Sequence, residues 1–314
     1  MLTVRTVEHR LRAPLRTAWG TLRVRETLHV TLSFGPGDWG EGEAAPLEPY
    51  DGVSLAAVRA ALDAYARIDA PPERLLAACA AERDLPQALA AVDLALWDRR
   101  QRLERTPIAR LIAADALDAV PVNATIGAED RAGAARAAAD AASLGFTCVK
   151  VKVGIGDDAG RIAAVRAAAP ELAIRVDANG AWSGPREALA NLRALAPIGI
   201  ELCEEPVHGV EALRAVKAES AVPIAMDETH APGSGAADAV CLKITRGGIT
   251  GVLDAAAQAR AAGADVYLAS TYDGPLGLAA GVHAAAALKV TRHCGLATGT
   301  LDVREGMIAV PFLI

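Results

Sequence analysis

The sequence predicts an α/β fold, in which a barrel of parallel strands and covering helices follows an N-terminal α+β domain. Apolar runs of strand length alternate with helical segments after about residue 106, whereas residues 1–105 follow a different pattern. Several of the later apolar runs also end on a charged residue, which is where α/β barrels build active sites. A chain of 314 residues is long enough for one such barrel and one additional domain.

The first domain is predicted to combine a β-hairpin with helices. Residues 28–34 alternate between apolar and polar side chains, residues 35–38 read Gly-Pro-Gly-Asp, and a second short strand begins at Trp39. This order is typical of a hairpin. Residues 54–103 then take a helical pattern that three prolines interrupt. We therefore assign residues 1–105 to an α+β domain.

Residues 106–298 are predicted to form the barrel. Eight strand-like runs occur there, near residues 121–126, 148–153, 173–177, 198–204, 223–227, 239–244, 265–271 and 293–298. Helices fit between most of them, at residues 130–143, 157–168, 184–195, 209–218, 249–262 and 276–288. Eight parallel strands are enough to close a barrel. Residues 230–237 contain a proline and two glycines, so only a stub of helix is expected there, and residues 299–314 are expected to pack back on the first domain.

The composition argues against several classes of protein. Hydrophobic residues make up 52% of the chain, the formal net charge is −6, and lysine and arginine form no block. We therefore expect no nucleic-acid partner. No apolar run has the length of a signal peptide or a membrane span, so we expect a cytoplasmic protein without a membrane partner. The five cysteines lack C-x-x-C spacing, which favours buried free thiols.

Three acidic residues stand at the ends of successive predicted strands. They are Asp177, Glu204 and Asp227, separated by 204 − 177 = 27 and 227 − 204 = 23 residues, about one strand, one helix and two loops. The carboxyl ends of parallel strands meet at one mouth of a barrel, so these carboxylates should converge. Oxygen ligands without nearby histidine or cysteine suit Mg²⁺ better than Zn²⁺. A helix cap or a salt bridge explains one such acid, but three on consecutive strands favour a metal site.

Lysines end two other strands and are candidates for acid–base chemistry. Lys150 and Lys152 lie two apart on one strand, so both side chains point to the same face. Like charges this close are expected to lower a lysine pKa, and a neutral amine is what a general base for a carbon acid needs. Lys243 ends the sixth strand, opposite Lys152 in a ring of eight. The plainer alternative is a pair of solvated lysines at a strand edge, which the neighbouring acids weaken.

Two polar residues follow the candidate metal ligands closely. Asn179 comes two residues after Asp177, and Glu228 directly follows Asp227. We expect both to orient the ligands from behind, with Glu228 pairing with Lys243.

Together these motifs resemble the muconate lactonizing enzyme subgroup of the enolase superfamily. The matching motifs are Lys150-Val151-Lys152, Val176-Asp177-Ala178-Asn179-Gly180, Glu204-Glu205-Pro206, Met226-Asp227-Glu228-Thr229 and Leu242-Lys243-Ile244. The resemblance covers nearly the whole chain, since residues 39–44 and 95–98 look like that family's capping domain. It implies a modified (β/α)7β barrel, with capping loops that close over the substrate. It also implies Mg²⁺, or Mn²⁺ in its place, on the three carboxylates and Lys152 as the base.

Within the subgroup, several reactions remain open. Residues 121–125 and 294–298 look most like o-succinylbenzoate synthases of actinobacterial type, which carry out a syn dehydration in menaquinone biosynthesis. Residues 270–275 depart from that pattern, because a Glu-Ser pair is usual there. The alternatives are a dipeptide or N-acyl amino acid epimerase, in which Asp273 or Asp302 holds a substrate ammonium, and a muconate-type cycloisomerase. A binding protein without chemistry is disfavoured, because both lysine motifs and all three acids are present.

The expected partner is a small carboxylate substrate held under the capping loops, which fall at residues 14–26 and 42–53. The candidate substrate contacts are Thr271, Asp273, Arg16 and Tyr50, followed by Arg23 and Arg25. Capping loops have no simple sequence code, so the exact substrate stays open, as does assembly into a homo-oligomer.

Overall fold

The structure of the protein is a computed structural model that describes residues 1–17, 20–299 and 301–312, with only the backbone described for residues 12–17, 20 and 21. An antiparallel sheet lies at the N-terminus, and seven parallel strands form the main sheet. Among the described residues, no helix has both the length and the apolar character needed to cross a membrane. All five cysteines are free and buried, as expected.

Three strands form the N-terminal sheet in chain order. They are β1 (Leu2–Thr17), β2 (Gly20–Gly35) and β3 (Asp38–Ala44). β2 and β3 pair as the antiparallel hairpin that the sequence predicts. Alternate side chains of β2, namely Leu28, Val30 and Leu32, are buried in the core of this domain, because successive residues of a strand point to opposite faces.

Helices follow this sheet along the chain, and the longest of them packs against it. They are α1 (Glu48–Asp51), α2 (Leu55–Tyr65), α3 (Pro72–Glu82) and α4 (Pro86–Glu104), followed by α5 (Ile108–Ile112). α3 and α4 begin at prolines, whose fixed φ suits the first helical position. β3 approaches α4 very closely, since a Cβ on Gly42 would lie 2.0 Å from the Ala91 carbonyl oxygen. Glycine on this strand therefore permits the packing of sheet on helix.

Strands and helices alternate through the second part of the chain. In order they are β4 (Ala119–Pro121), β5 (Ala124–Ile126), α6 (Arg131–Ser143), β6 (Cys148–Lys152), α7 (Asp158–Ala168), β7 (Ala173–Asp177), α8 (Pro185–Leu195), β8 (Ile200–Glu204), α9 (Val210–Glu219), β9 (Ile224–Met226), β10 (Ala239–Leu242), α10 (Gly248–Ala261), β11 (Asp265–Leu268), α11 (Pro275–Ala287) and β12 (Met307–Ala309). The main sheet runs in the order β11-β10-β9-β8-β7-β6-β5, and its strands are parallel. A short 3₁₀ turn, Pro232–Ser234, replaces a helix between β9 and β10, as expected.

The predicted eighth strand, at residues 293–298, is reduced to two bridging residues. The amide of Cys294 donates to Pro121 O at 2.7 Å, and the amide of Gly295 donates to Leu268 O at 2.8 Å. These residues thus link the chain before β5 to the end of β11. The chain turns immediately after Gly295, so a strand of more than these two residues cannot form there.

The C-terminal segment does not pair with the first domain. β12 pairs antiparallel with β4, and Ile308 lies opposite Val120. Both side chains are buried in a core cluster that lies mostly in the second part of the chain and also contains Leu94 of the first domain. Pairing with β4 therefore holds β12 against the second part of the chain, whereas the packing of residues 299–314 on residues 1–105 stays a prediction.

Candidate active site

The carboxyl ends of the central strands bring the candidate residues to one mouth of the sheet. Parallel register places Lys152 beside Asp177, and Asp177 beside Glu204. Asp227 directly follows β9, and Lys243 directly follows β10. The three acids are only 1–3% exposed. Polar side chains thus gather where parallel strands end, although the strands themselves are apolar.

The two lysines of β6 hold the acids in different ways. Lys150 Nζ lies 2.8 Å from Asp177 Oδ2 and 2.6 Å from Glu204 Oε1, so it bridges two carboxylates. Lys152 Nζ donates to Asp177 Oδ2 at 2.6 Å and to Asn179 Oδ1 at 2.5 Å. The Lys152 side chain is 28% exposed, against 13% for Lys150. Lys152 is therefore the more accessible amine of the pair.

Lys243 approaches the acids from the other side. Its Nζ donates to both carboxylate oxygens of Asp227, at 2.8 and 2.7 Å, and lies 3.0 Å from Cys241 Sγ. Three strands, β7, β8 and β9, separate β10 from β6. Lys152 and Lys243 thus flank the carboxylates from opposite sides.

The acids control the protonation of two of the lysines. Burial alone lowers the pKa of Lys150, but Asp177 and Glu204 raise it well above its ordinary value. The pKa of Lys243 is raised as well. Burial opposes this shift, and the charge of Asp227 causes it. The expected lowering of a lysine pKa by a like charge is therefore wrong for Lys150. Two carboxylates in direct contact with its ammonium outweigh the neighbouring amines.

The carboxylates respond to the same contacts. Burial alone raises the pKa of Asp177, but the two lysines of β6 bring it down to about 2. Burial alone also raises the pKa of Asp227, but Lys243, Arg246 and Lys150 together lower it below its ordinary value. By contrast, the pKa of Glu204 is raised, first by burial and then by the charges of the other two acids, against the pull of the lysines. Three buried carboxylates therefore repel one another at this mouth.

This donor set fits a hard divalent cation. Ligand atoms of Glu204, Asp227 and Cys241 lie within 4.8 Å of one another, and Lys150 connects Asp177 to the same group. A cation among three buried carboxylates would offset their mutual repulsion. Oxygen donors suit Mg²⁺ or Mn²⁺. Burial raises the pKa of the Cys241 thiol well above its ordinary value. Sulfur is also a poorer ligand than oxygen for a hard cation such as Mg²⁺.

Asn179 and Glu228 lie one contact further from the centre. The backbone amide of Asn179 donates to Asp177 Oδ1 at 2.9 Å, and its side-chain amide donates to Glu228 Oε1 at 2.8 Å. Burial, followed by the charges of Asp227 and Asp177, raises the pKa of Glu228 to about 8. The expected pair between Glu228 and Lys243 is wrong, because Lys243 is bound to Asp227 instead.

Three supporting residues were not identified from the sequence. The Tyr267 hydroxyl donates to Glu204 Oε2 at 2.6 Å, and Arg246 Nη1 donates to the Asp227 carbonyl oxygen at 2.9 Å. Glu205 Oε2 accepts from the Asp227 amide at 2.8 Å. Glu205 could have been found, since it directly follows Glu204 at a strand end. Tyr267 lies inside the apolar strand β11, and no spacing pattern indicates its role or that of Arg246.

A cleft of about 90 Å³ lies over this network. It is lined by Leu47, Tyr50, Thr125, Lys150, Lys152, Asp177, Asn179, Asp227, Lys243, Ala269, Ser270, Thr271, Tyr272, Gly295 and Thr298. Among the described residues, Asp177 and Asp227 are the only acids in this lining. Beyond the lysines and the candidate metal ligands, the described part of the cleft wall is therefore neutral.

Two of the predicted substrate contacts, Tyr50 and Thr271, line the cleft. Tyr50 reaches in from the first domain, where its hydroxyl donates to Asp227 Oδ1 at 2.6 Å and accepts from Arg246 Nη2 at 2.7 Å. Thr271 donates to Asp273 Oδ1 at 2.7 Å. Tyr50 thus contacts a candidate metal ligand directly, which links the first domain to the centre of the site.

The two acids proposed to hold a substrate ammonium do not line the cleft. Asp273 is 7% exposed and is engaged by Thr271, while burial raises its pKa to about 6. Asp302 is exposed and pairs with Arg304 at 2.7 Å. In the described structure one of these side chains is buried beside Thr271 and the other faces solvent, so neither offers a free carboxylate to the described cleft.

The arginine candidates lie elsewhere. Arg25 is 6% exposed and donates to the carbonyl oxygens of Ala45 and Pro46, each at 2.7 Å, and of Thr271 at 3.4 Å. It fastens the first domain to the loop after β11 and does not line the cleft. Arg23 is exposed, and the side chain of Arg16 lies outside the described residues.

Comparison with known proteins decides the family. Residues 133–312, more than half of the chain, match the family described as "Enolase C-terminal domain-like". The chain belongs to the enolase superfamily. The family predicted from the strand-end motifs is thereby confirmed.

Relatives in this superfamily carry two kinds of name. An o-succinylbenzoate synthase from Mycobacterium ulcerans (strain Agy99) is 37% identical over 209 residues, which are 61% of this chain and 62% of that relative. An N-succinyl-L-Arg/Lys racemase from Bacillus cereus is 30% identical over 247 residues, which are 73% of this chain and 67% of the racemase. The match to the synthase thus spans less than two thirds of that protein's length.

Comparison with solved structures confirms the predicted fold. A dipeptide epimerase from Enterococcus faecalis V583, complexed with Mg and the dipeptide L-Leu-L-Tyr, superimposes with a TM-score of 0.88 at 26% sequence identity. The superposition covers 99% of this chain and 96% of the epimerase. The barrel and its N-terminal antiparallel sheet are therefore shared with enolase-superfamily enzymes.

Proposed function

We propose that the protein is an o-succinylbenzoate synthase, which removes water from a hydroxylated cyclohexadiene carboxylate in menaquinone biosynthesis. The observation that carries this choice is the described part of the cleft wall beside Lys152 and Lys243, which holds no charged side chain beyond the lysines and the candidate metal ligands. A substrate that presents carboxylates and no ammonium suits such a wall, because an ammonium would need a carboxylate of its own. The 37% identity to the Mycobacterium ulcerans synthase supports the same choice.

We propose that Asp177, Glu204 and Asp227 hold Mg²⁺, or Mn²⁺ in its place. When bound, the ion supplies positive charge to a substrate carboxylate, which stabilises the negative charge that develops as the adjacent carbon loses its proton. The burial of all three acids supports this assignment. Tyr267 and Tyr50 fix two of the carboxylates by donating hydrogen bonds to Glu204 and Asp227.

In this proposal Lys152 is the base. It removes the proton α to the substrate carboxylate, and the C–H electron pair moves onto the carboxylate oxygens. The electrons then return to form the ring double bond as the C–O bond breaks, and Lys152 gives its proton to the departing hydroxyl on the same face, releasing water. Asn179 positions the Lys152 amine, and Lys150 holds Asp177 against Glu204. Lys243 remains a cation on the opposite side, where it stabilises the developing negative charge.

An N-acyl amino acid racemase is the second candidate. The specific observation in its favour is the placement of Lys152 and Lys243 on opposite sides of the carboxylates, which lets one amine take a proton and the other return one. The Bacillus cereus racemase, 30% identical, supports it as well. A dipeptide epimerase has less support, since the described cleft wall offers no free carboxylate for a substrate ammonium.

One experiment separates these reactions. Purified protein with Mg²⁺ is assayed for dehydration of the cyclohexadiene acid, and for inversion of N-succinyl amino acids and of dipeptides, side by side. We expect efficient dehydration. Inversion of a dipeptide or an N-acyl amino acid without dehydration would refute the synthase proposal and support the corresponding epimerase or racemase.

We further propose that residues 1–105 act as the capping domain over the barrel of residues 106–298. A small carboxylate is the proposed partner, with no nucleic acid or membrane involved, and assembly into a homo-oligomer is compatible with this function. Five buried free thiols support a reducing cytoplasmic compartment.

A further inference from the structure

A second polar cluster lies in the N-terminal sheet, outside the candidate active site. His9 on β1, His29 on β2 and Glu43 on β3 each offer one ligand atom, and these atoms lie within 4.8 Å of one another. His29 and Glu43 are direct cross-strand partners, so their side chains share one face of the sheet. The rings of His9 and His29 have centroids 5.7 Å apart. Three strands thus bring two imidazoles and one carboxylate together.

One oxygen of this carboxylate is buried without a donor. The Glu43 side chain is 0% exposed, and Oε1 accepts from the Gly274 amide at 2.7 Å. Within the described residues, Oε2 has no hydrogen-bond partner, and neither has Nε2 of His29, although the two atoms lie 3.2 Å apart. An unsatisfied buried carboxylate oxygen costs free energy and needs a physical explanation.

The unpartnered oxygen lies against a glycine. A Cβ on Gly274 would lie 2.3 Å from Glu43 Oε2 and 2.6 Å from His9 Nε2. Both atoms therefore lie next to the position that a side chain at residue 274 would fill. Glycine leaves that position free.

We propose that His9, His29 and Glu43 bind a divalent transition metal ion, with Zn²⁺ favoured. Zn²⁺ binds histidine nitrogen and carboxylate oxygen at about 2.0–2.2 Å in a tetrahedron, which sets ligand atoms roughly 3.3–3.5 Å apart. The distances from Glu43 Oε2 to Nε2 of His29 and of His9 are 3.2 and 4.0 Å, on either side of that range. Two nitrogens and one oxygen favour a transition metal over Mg²⁺, and water completes the tetrahedron.

Two existing contacts must change for the ion to bind. His9 Nε2 lies 3.0 Å from Thr27 Oγ1, and this hydrogen bond is exchanged for the metal. The exposed side chain of Arg5 lies 3.3 Å from His29 Nδ1 and moves into solvent, so that Nδ1 can carry the proton of a metal-bound imidazole. Burial lowers the pKa of His9 against the attraction of Glu43, which keeps this ring neutral and its lone pair available.

A buried arginine faces the same region. The guanidinium of Arg25 donates to the carbonyl oxygens of Ala45, Pro46 and Thr271 and makes no hydrogen bond to Glu43 among the described residues, although Asp273 and Glu43 both attract its charge. The metal would link the N-terminal sheet to the loop after β11, because Glu43 also accepts a hydrogen bond from the Gly274 amide in that loop. That loop carries Thr271, which lines the cleft. The proposal does not depend on which reaction the active site performs.

The test uses untagged, full-length protein with excess Mg²⁺, which occupies the active-site carboxylates. We expect one equivalent of Zn²⁺ to bind and to raise the melting temperature, and Co²⁺ in its place to give the intense visible absorption of a tetrahedral ion. His9→Gln and His29→Gln should each weaken Zn²⁺ binding at least about tenfold. Glu8→Gln, which removes an exposed carboxylate next to His9, is the matched control and should bind like the wild type.

Two results would overturn the proposal. One is a wild type that takes up no Zn²⁺ once Mg²⁺ is saturating, and the other is equal Zn²⁺ binding by the wild type and both histidine variants. The readout is metal binding, so a failure of the dehydration assay leaves this test intact.

Discussion

Tyr50 connects the first domain to the candidate metal ligands, and Tyr50→Phe should lower activity without unfolding the protein. Its hydroxyl donates to Asp227 Oδ1 at 2.6 Å and accepts from Arg246 Nη2 at 2.7 Å. Burial raises the pKa of Tyr50 well above its ordinary value, so the hydroxyl stays a donor at any working pH. Phenylalanine keeps the ring 5.4 Å from Lys243 Nζ. The substitution therefore removes the hydroxyl contacts alone.

The size of the effect follows from the charge on the acceptor. A hydrogen bond to a charged group contributes about 1.5–3 kcal/mol, which corresponds to roughly 10- to 150-fold in kcat/KM if the bond holds Asp227 for the reaction. Because Asp227 is a candidate metal ligand, the affinity for Mg²⁺ should fall as well.

The measurement is kcat/KM for dehydration across a Mg²⁺ titration, with Tyr65→Phe as the matched control. Tyr65 is also buried in the first domain, but its hydroxyl donates to the Arg83 carbonyl oxygen at 2.5 Å, and Tyr65 does not line the cleft. We expect Tyr65→Phe to lose stability and keep activity. Equal kcat/KM and equal Mg²⁺ dependence for Tyr50→Phe and the wild type would refute the reasoning.

Three further outcomes are expected. Asp177→Asn should abolish Mg²⁺-dependent activity with the fold intact by circular dichroism, and full activity after exhaustive chelation would contradict the metal assignment. Burial raises the pKa of Asp93 from 3.8 to about 6, so its contribution to stability is present below about pH 4 and is lost as the pH rises through 6. Asp93→Asn should therefore gain about 2–2.5 kcal/mol on the wild type between pH 4 and pH 7 in urea denaturation, and a difference that does not vary with pH would reject this. Gly42→Ala should destabilise the protein by about 1–3 kcal/mol or more, because its Cβ would meet the Ala91 carbonyl oxygen. Gly184→Ala is the control, since a Cβ there meets open space. Equal urea midpoints for the two variants would contradict this prediction.

Most of the barrel could be predicted from the sequence because local signals mark its elements. The buried strands are apolar runs that end on a charge, and several barrel helices begin at a proline or at a capping residue such as Asp130, which accepts from the Gly133 amide at 2.7 Å. Residues 293–298 were the exception. Their apolar character suggested a strand, but the extent of pairing depends on the ends of β11 and β4, which a local pattern cannot show.

The substrate side of the site could not be predicted, because it depends on contacts between distant parts of the chain. Tyr50 and Asp227 are 177 residues apart in sequence, and Arg25 and Thr271 are 246 apart. Asp273 looked like a substrate acid from its position in a loop. Only the packing of the first domain against that loop shows that its carboxylate is buried and bonded to Thr271.

The central claim is that Lys152 takes the α-proton while Lys243 remains a cation on the opposite side. The most direct test follows the reaction of wild type, Lys152→Ala and Lys243→Ala with Mg²⁺ in deuterated water. One arm uses the cyclohexadiene acid, and the other uses N-succinyl amino acids. The account predicts that the wild type dehydrates the cyclohexadiene acid, that Lys152→Ala neither dehydrates nor exchanges an α-proton, and that Lys243→Ala loses dehydration without forming an epimer. Dehydration by Lys152→Ala at the wild-type rate would contradict the account. A second combination of results would also contradict the account. In it, the wild type inverts the N-succinyl amino acid without dehydrating the cyclohexadiene acid, and Lys243→Ala exchanges the α-proton of one epimer with solvent deuterium but cannot invert that epimer.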